Sequence, residues 1–347
     1  MRTIFSLLPL VCGLLYSASC LSSAPGPKPD AGGELAQRAA IAQSAQLAFL
    51  SEDFPRLEEM SGRFRTEKSR TPSGVWHLTL FYTGIDSLAQ RQKRAALNGD
   101  IDGAFQMIER TTQKWMQKFP DSPSAHIVHA TVLIDHGWAY RGGDYASKVK
   151  PESWAPFRKY IAMAREHLEK HKAVASRDPR WYEIMLTIAR AENWERGEFE
   201  KLLAEAVNSE PLHYQTYFMA LEYLLPKWHG DAGEVETFAQ DATSRTQGQE
   251  GQGMYARIYW YASQSQFANN LFEDSVAVWP RMKAGFEDVV ARYPDPWNLN
   301  NYAKFACVAR DKIKAKELLE RTESSIVPEA WTPQSLRAQC AAWVAGP

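Results

Sequence analysis

The chain is expected to be all-α, an α-α solenoid of antiparallel helix pairs, on three observations. Apolar residues recur at spacings of three and four, proline and glycine punctuate those runs at short intervals, and two proline-closed units lie 32 positions apart. The central stretch 181–242 carries the first two and contains the second of those units' closing prolines. Trp181, Ile184, Met185, Ile188 and Ala189 fall on one face of a helix. Phe199, Leu202, Leu203, Ala206 and Val207 repeat the pattern, with Gly197 read as the turn between the two segments. Leu212, Tyr214, Tyr217, Phe218, Leu221, Leu224 and Leu225 make a third stripe. Pro226 ends it, since proline lacks the amide hydrogen and clashes with the preceding turn. Asp231 with Glu234 reads as a capping box opening a fourth helix.

A helix pair cannot bury its apolar face alone, so such pairs imply stacked neighbours. Asp178-Pro179 and Glu210-Pro211 close units near the roughly 34-residue tetratricopeptide period, with the small residue Ala206 shortly before the second proline. A second unit spans 293–323, where Ala303 and Ala315 supply two small packing positions. A weaker third begins at Phe119.

From its start, the chain opens with a signal-peptide layout over 1–20. Arg2 is the positive end, Ile4–Tyr16 the apolar run, and Ser17-Ala18-Ser19 the small residues before a cleavage point. The run is too short to span a bilayer, which needs about 20 apolar residues. Cys20, directly after Ala18-Ser19, resembles the lipidated cysteine of a bacterial lipobox, although Ser17 stands where an aliphatic residue is usual. Residues 21–33 read as a flexible tether and 34–347 as one helical-repeat domain, with its last repeat and cap at 293–347. Within it, helices are expected over 34–52, 54–69, 75–97, 101–119 with Asp100 as N-cap, 122–140 and 152–175. A loop over 141–151 precedes the last of these, and further helices follow over 251–267, 275–293, 298–309, 311–323 and 332–344.

With 45 % apolar and 12 % aromatic residues the chain has the means for a substantial core. Its formal charge of −1 is spread without a basic face, which argues against nucleic acid or anionic lipid as partner. Outside the leader's own run, the cysteines are Cys20, Cys307 and Cys340. The last two either bridge the final repeat to a capping helix in an oxidising compartment or sit as buried small apolar residues.

Four segments carry a resemblance: HGWAYRGGDYASKV at 136–149, DPRWYEIM at 178–185, YLLPKWHGDAGEVETFA at 223–239 and MYARIYWY at 254–261. In this order they resemble a bacterial family described as a domain of unknown function with a tetratricopeptide-like fold, over roughly residues 100–265. The resemblance implies a helical-repeat domain and carries over no activity. Read for chemistry, Trp138, Tyr140, Arg141 and Tyr145 form one aromatic and guanidinium group, and Trp228 with His229 another. These residue types anchor partner segments, so a protein- or peptide-binding surface is the functional reading. The simpler reading of any one of them is packing or helix capping.

No cofactor or metal is expected. His167 and His171 stand four apart, with His126, His129 and His136 a looser group, but the pair sits among charges with no evident third ligand and reads as a solvated face. A catalytic reading as a cell-wall hydrolase or lyase rests on Glu152-Ser153, which lacks the glycine-rich segment that should follow. Serine-hydrolase, phosphate-loop and dinucleotide patterns are missing. The expectation is therefore an exported module, periplasmic or lipid-anchored, of about seven helix pairs, binding a protein or peptide of the bacterial envelope.

Overall fold

The computed structural model describes residues 33–95 and 99–346. The leader, Cys20 and all but the last residue of the tether lie outside them. Among the described residues the chain is all-helical, its only β pairing being an isolated bridge between Arg70 and Trp76. No helix among them is long and apolar enough to cross a membrane.

The helices are α1 (Glu34–Leu50), α2 (Phe54–Glu67), α3 (His77–Ala95), α4 (Ile101–Lys118), α5 (Pro123–Arg141), α6 (Trp154–Lys170), α7 (Lys172–Ala175), α8 (Arg180–Ala191) and α9 (Arg196–Ser209). They continue as α10 (Tyr214–Leu224), α11 (Ala232–Glu250), α12 (Gly253–Ala262), α13 (Leu271–Asp274), α14 (Trp279–Arg292), α15 (Pro296–Val308), α16 (Lys312–Arg321) and α17 (Ser335–Ala345). Many start where side chains satisfy the free amides of the first turn. Asp53, Asp100, Ser122, Asp295 and Asp311 each accept from a backbone N–H, and Asp231 with Glu234 forms the full reciprocal box.

Packing sorts the helices into two rows. One row runs α1, α3, α5, α8, α10, α12, each touching the next. The second is made of α2, α4, α6, α9 and α11, each bridging two consecutive members of the first. Burial follows the rows. Residues 123–137 of α5 and all of α12 are buried, whereas α4 and α6 bury only a stripe, such as Phe157, Ile161, Ala164 and Leu168. A helix covered on all sides belongs to an interior row and an amphipathic one to the outside. The small positions Ala206, Ala303 and Ala315 are buried contacts. Cys307 on α15 and Cys340 on α17 form a disulfide with their Cα atoms 5.9 Å apart.

Several expected boundaries move. The helix expected over 152–175 starts at Trp154 after a 3₁₀ turn and breaks at His171, which ends α6 and opens α7. Gly197 lies inside α9; the turn before it is made by Asn193 in a left-handed conformation, φ 55°. The helix expected over 251–267 is α12 followed by a π-helical turn, Ser263–Phe267, and that over 275–293 begins at Trp279.

The segment Ser69–Trp76, between α2 and α3, is folded into the interior. Thr71, Ser73 and Trp76 are buried. Arg70 donates to the Leu212 carbonyl (3.1 Å) and Asn298 on α15 donates to the Ser73 carbonyl (3.1 Å). Beneath it, Glu34 on α1 accepts from the Ser73 amide and bonds Arg38, whose guanidinium lies 4.8 Å over the Trp297 ring. Helices α1 and α15, far apart in the chain, thereby meet on one loop.

Candidate functional site

Helices α3, α5, α8 and α10 of the interior row bury long apolar runs, yet carry charged residues within or beside them: Asp86, Asp135, Arg180, Glu183, Arg190 and Glu222. A buried charge needs a partner, and here the partners come from adjacent helices. Together they wall a cavity of about 400 Å³, within the range of small-ligand sites.

At one end Arg180 bridges two acids, with Nη2 at 2.7 Å from Asp86 and Nη1 at 2.5 Å from Glu183. His213 Nε2 lies 3.3 Å from the other oxygen of Glu183. Burial pushes the Glu183 carboxyl up to about 7, with Arg180 pulling against it, and raises Asp86 in the same way. Asp135 accepts from Gln90 (2.7 Å); burial pushes it up to about 7 against the pull of Lys93. Burial lowers Lys93 in turn. Glu222 behaves in the opposite sense. Burial raises it, but Arg190 (2.9 Å), Lys227 (3.2 Å) and the Ser265 hydroxyl outweigh this and hold it below the usual carboxylate range.

The aromatic wall is Trp138 from the end of α5 and Trp228 from the loop after α10. Their rings meet edge to face at 6.4 Å. Arg141 lies 4.8 Å over Trp138 and Arg190 4.8 Å over Trp228. The loop is held by Lys227, whose amide bonds Gln266 and whose ammonium bonds the Ser265 carbonyl. Arg141 gives its hydrogen bonds to the carbonyls of Gly142 and Asp144 rather than to a carboxylate. Gly142 ends α5 with φ 74°, which turns the chain so that 143–146 cover one edge of the cavity. Trp228 Nε1 and Arg190 Nε are buried donors with no partner among the described residues.

The two groups separated in the sequence are thus one. Trp138, Arg141, Tyr145, Trp228 and His229 line the same cavity, Tyr145 being 56 % exposed. Tyr140 points elsewhere. Its hydroxyl donates to Asp102 (2.7 Å), as does that of Tyr160, in a cluster that holds His136 between Asp102 (2.9 Å) and Glu109 (2.6 Å). Tyr140 is one residue before Arg141 and two after Trp138, and on a helix neighbours that close face different ways. Glu152 is exposed in the 3₁₀ turn before α6, outside the cavity. The acids that do line it were signalled only as charges set within apolar runs, as in WYEIMLTIAR and FMALEYLL.

The histidine pair is not a solvated face. The N-terminal end of α5 lies beside the C-terminal end of α6, and His126 reaches His167 there, Nδ1 to Nε2 at 3.1 Å, with its ring stacked 4.1 Å from His171. His126 and His129 are buried.

No family model matches the chain, and no curated protein or solved structure matches it significantly.

Proposed function

We propose that this protein is an exported binding module of the bacterial cell envelope, a tetratricopeptide-like α-α solenoid of the kind its sequence segments resemble, whose interior cavity takes a short peptide segment of an envelope or secreted protein. The observation that carries this reading is the aromatic wall with uncommitted donors. Arg141 has no carboxylate among its hydrogen-bond acceptors, and Trp228 Nε1 and Arg190 Nε lack partners among the described residues. Such a wall suits a ligand that brings an apolar side chain to the indoles and a carboxylate to the guanidinium. The Cys307–Cys340 disulfide supports an oxidising compartment, and Cys20 is proposed as a lipid anchor, to be read from a diacylglycerol mass on the mature N-terminus.

The test is calorimetric titration with N-acetylated tripeptides containing one aromatic residue, each with a free or an amidated C-terminus. Binding of the free acid, weakened about tenfold or more by amidation and by Arg141→Ala or Trp228→Ala at unchanged helicity, is the expected result. Equal binding of acid and amide, or no binding by either, would overturn it.

One observation favours a second reading, a cell-wall hydrolase or lyase. Asp135 and Glu183 are buried acids held protonated up to about 7 beside a cavity, the property of a general acid. Release of muropeptides from purified sacculi, abolished by Asp135→Asn or Glu183→Gln, would replace the binding reading.

A further inference from the structure

We propose that His126, His167 and His171 form a binding site for a divalent transition-metal ion of the zinc class, tying α5 to the corner between α6 and α7 and leaving one coordination position open. His167 lies in the last turn of α6 and His171 caps that helix, its amide bonding the His167 carbonyl one turn back, so the two rings lie beside each other, centroids 4.7 Å apart. The antiparallel packing of α5 brings His126 against that face. One ring nitrogen from each of the three lies within 4.8 Å of the others. The Nδ1 of His126 and the Nε2 of His167 are 3.1 Å apart. Tetrahedral zinc with bonds of about 2.0–2.1 Å requires ligand nitrogens roughly 3.4 Å apart. One edge of the tetrahedron is therefore nearly in place, and a small rotation of the half-exposed His171 ring closes the rest.

Hydrogen bonds outside the cluster fix the tautomer that a metal needs. His126 Nε2 lies 2.8 Å from the Pro120 carbonyl. A carbonyl only accepts, so this nitrogen carries the hydrogen and Nδ1 keeps its lone pair toward the cluster. His129, edge-on to His167 at 4.9 Å, is oriented the same way: Thr112 gives its hydroxyl hydrogen to the Glu109 carbonyl and so accepts from His129 Nδ1. Three imidazoles and no thiolate or carboxylate suit zinc, cobalt, nickel or copper rather than magnesium or calcium.

Tag-free chain stripped with chelator is titrated with Zn²⁺ by calorimetry and with Co²⁺ by visible absorption. Expected are one ion per chain, a tetrahedral cobalt spectrum, and a melting temperature raised by zinc. His171→Gln, at a half-exposed position that leaves the core intact, and His167→Ala each weaken binding about tenfold or more at unchanged helical circular dichroism. Failure to take up metal at about 100 μM, or uptake unaffected by His171→Gln, overturns the proposal. The peptide titration is read separately, so failure of either leaves the other standing.

Discussion

Asp135 sits on α5 with its carboxyl enclosed, bonded by Gln90 and faced by Lys93. Its proton is retained to about pH 7 in the folded chain, whereas an unfolded aspartate releases it near its ordinary value of 3.8. Between those two values the folded state binds the extra proton, so stability falls as pH rises through the window and levels off above it. If the whole shift is realised, the contribution is roughly 4 kcal/mol. Asp135→Asn carries no titrating proton there. The melting temperature of the wild type, measured relative to the variant, should decline from pH 4.5 to 7 and then stay flat; a constant difference across that window would show that Asp135 ionises normally. This residue was legible in the sequence only as a charge inside VLIDHGW, because its partners Gln90 and Lys93 lie on α3, more than 40 positions away. That His126 joins His167 and His171 was hidden for the same reason: the sequence shows the pair and, apart from it, the looser group His126, His129 and His136, but nothing local reveals which of these a neighbouring helix brings to the pair.

The elements themselves were the most legible part of the chain, because proline, aspartate and serine at helix starts act within one turn. Asp100, Asp231 with Glu234, and Pro226 did what their chemistry dictates. The break at His171 was not legible, since EKHKAV contains no breaker. Nor was Gly84 flagged by any turn, as it lies within α3 where that helix crosses α1. A Cβ added there would overlap the Ala42 carbonyl group. Gly84→Ala should therefore force α1 and α3 apart and cost about 1–3 kcal/mol, the range for overpacking a tight contact. The midpoint of urea unfolding checks this. An unchanged midpoint, or a rise from the gain in helix propensity, would mean that the two helices separate without cost.

At the scale of the whole molecule, the interior loop Ser69–Trp76 decides how the rows behave. A stack of repeats with only nearest-neighbour contacts unfolds in parts. Here Arg70 holds the Leu212 carbonyl and Asn298 holds the Ser73 carbonyl across 225 positions. We expect one unfolding transition, coincident by far-ultraviolet circular dichroism and by near-ultraviolet signal. Asn298→Ala should lower its midpoint and separate the two probes; two separated transitions in the wild type would contradict the closure. No sequence pattern announces such a contact, because TPSG is only the short gap between two expected helices and Asn298 one polar residue in another. The closure also sets an order on synthesis. Translation adds about 5–20 residues per second, so the loop leaves the ribosome many seconds before α15 exists. Trp76 and its neighbours first meet His213 and the Leu212 carbonyl, and the bond from Asn298 closes over Ser73 only when α15 has been made.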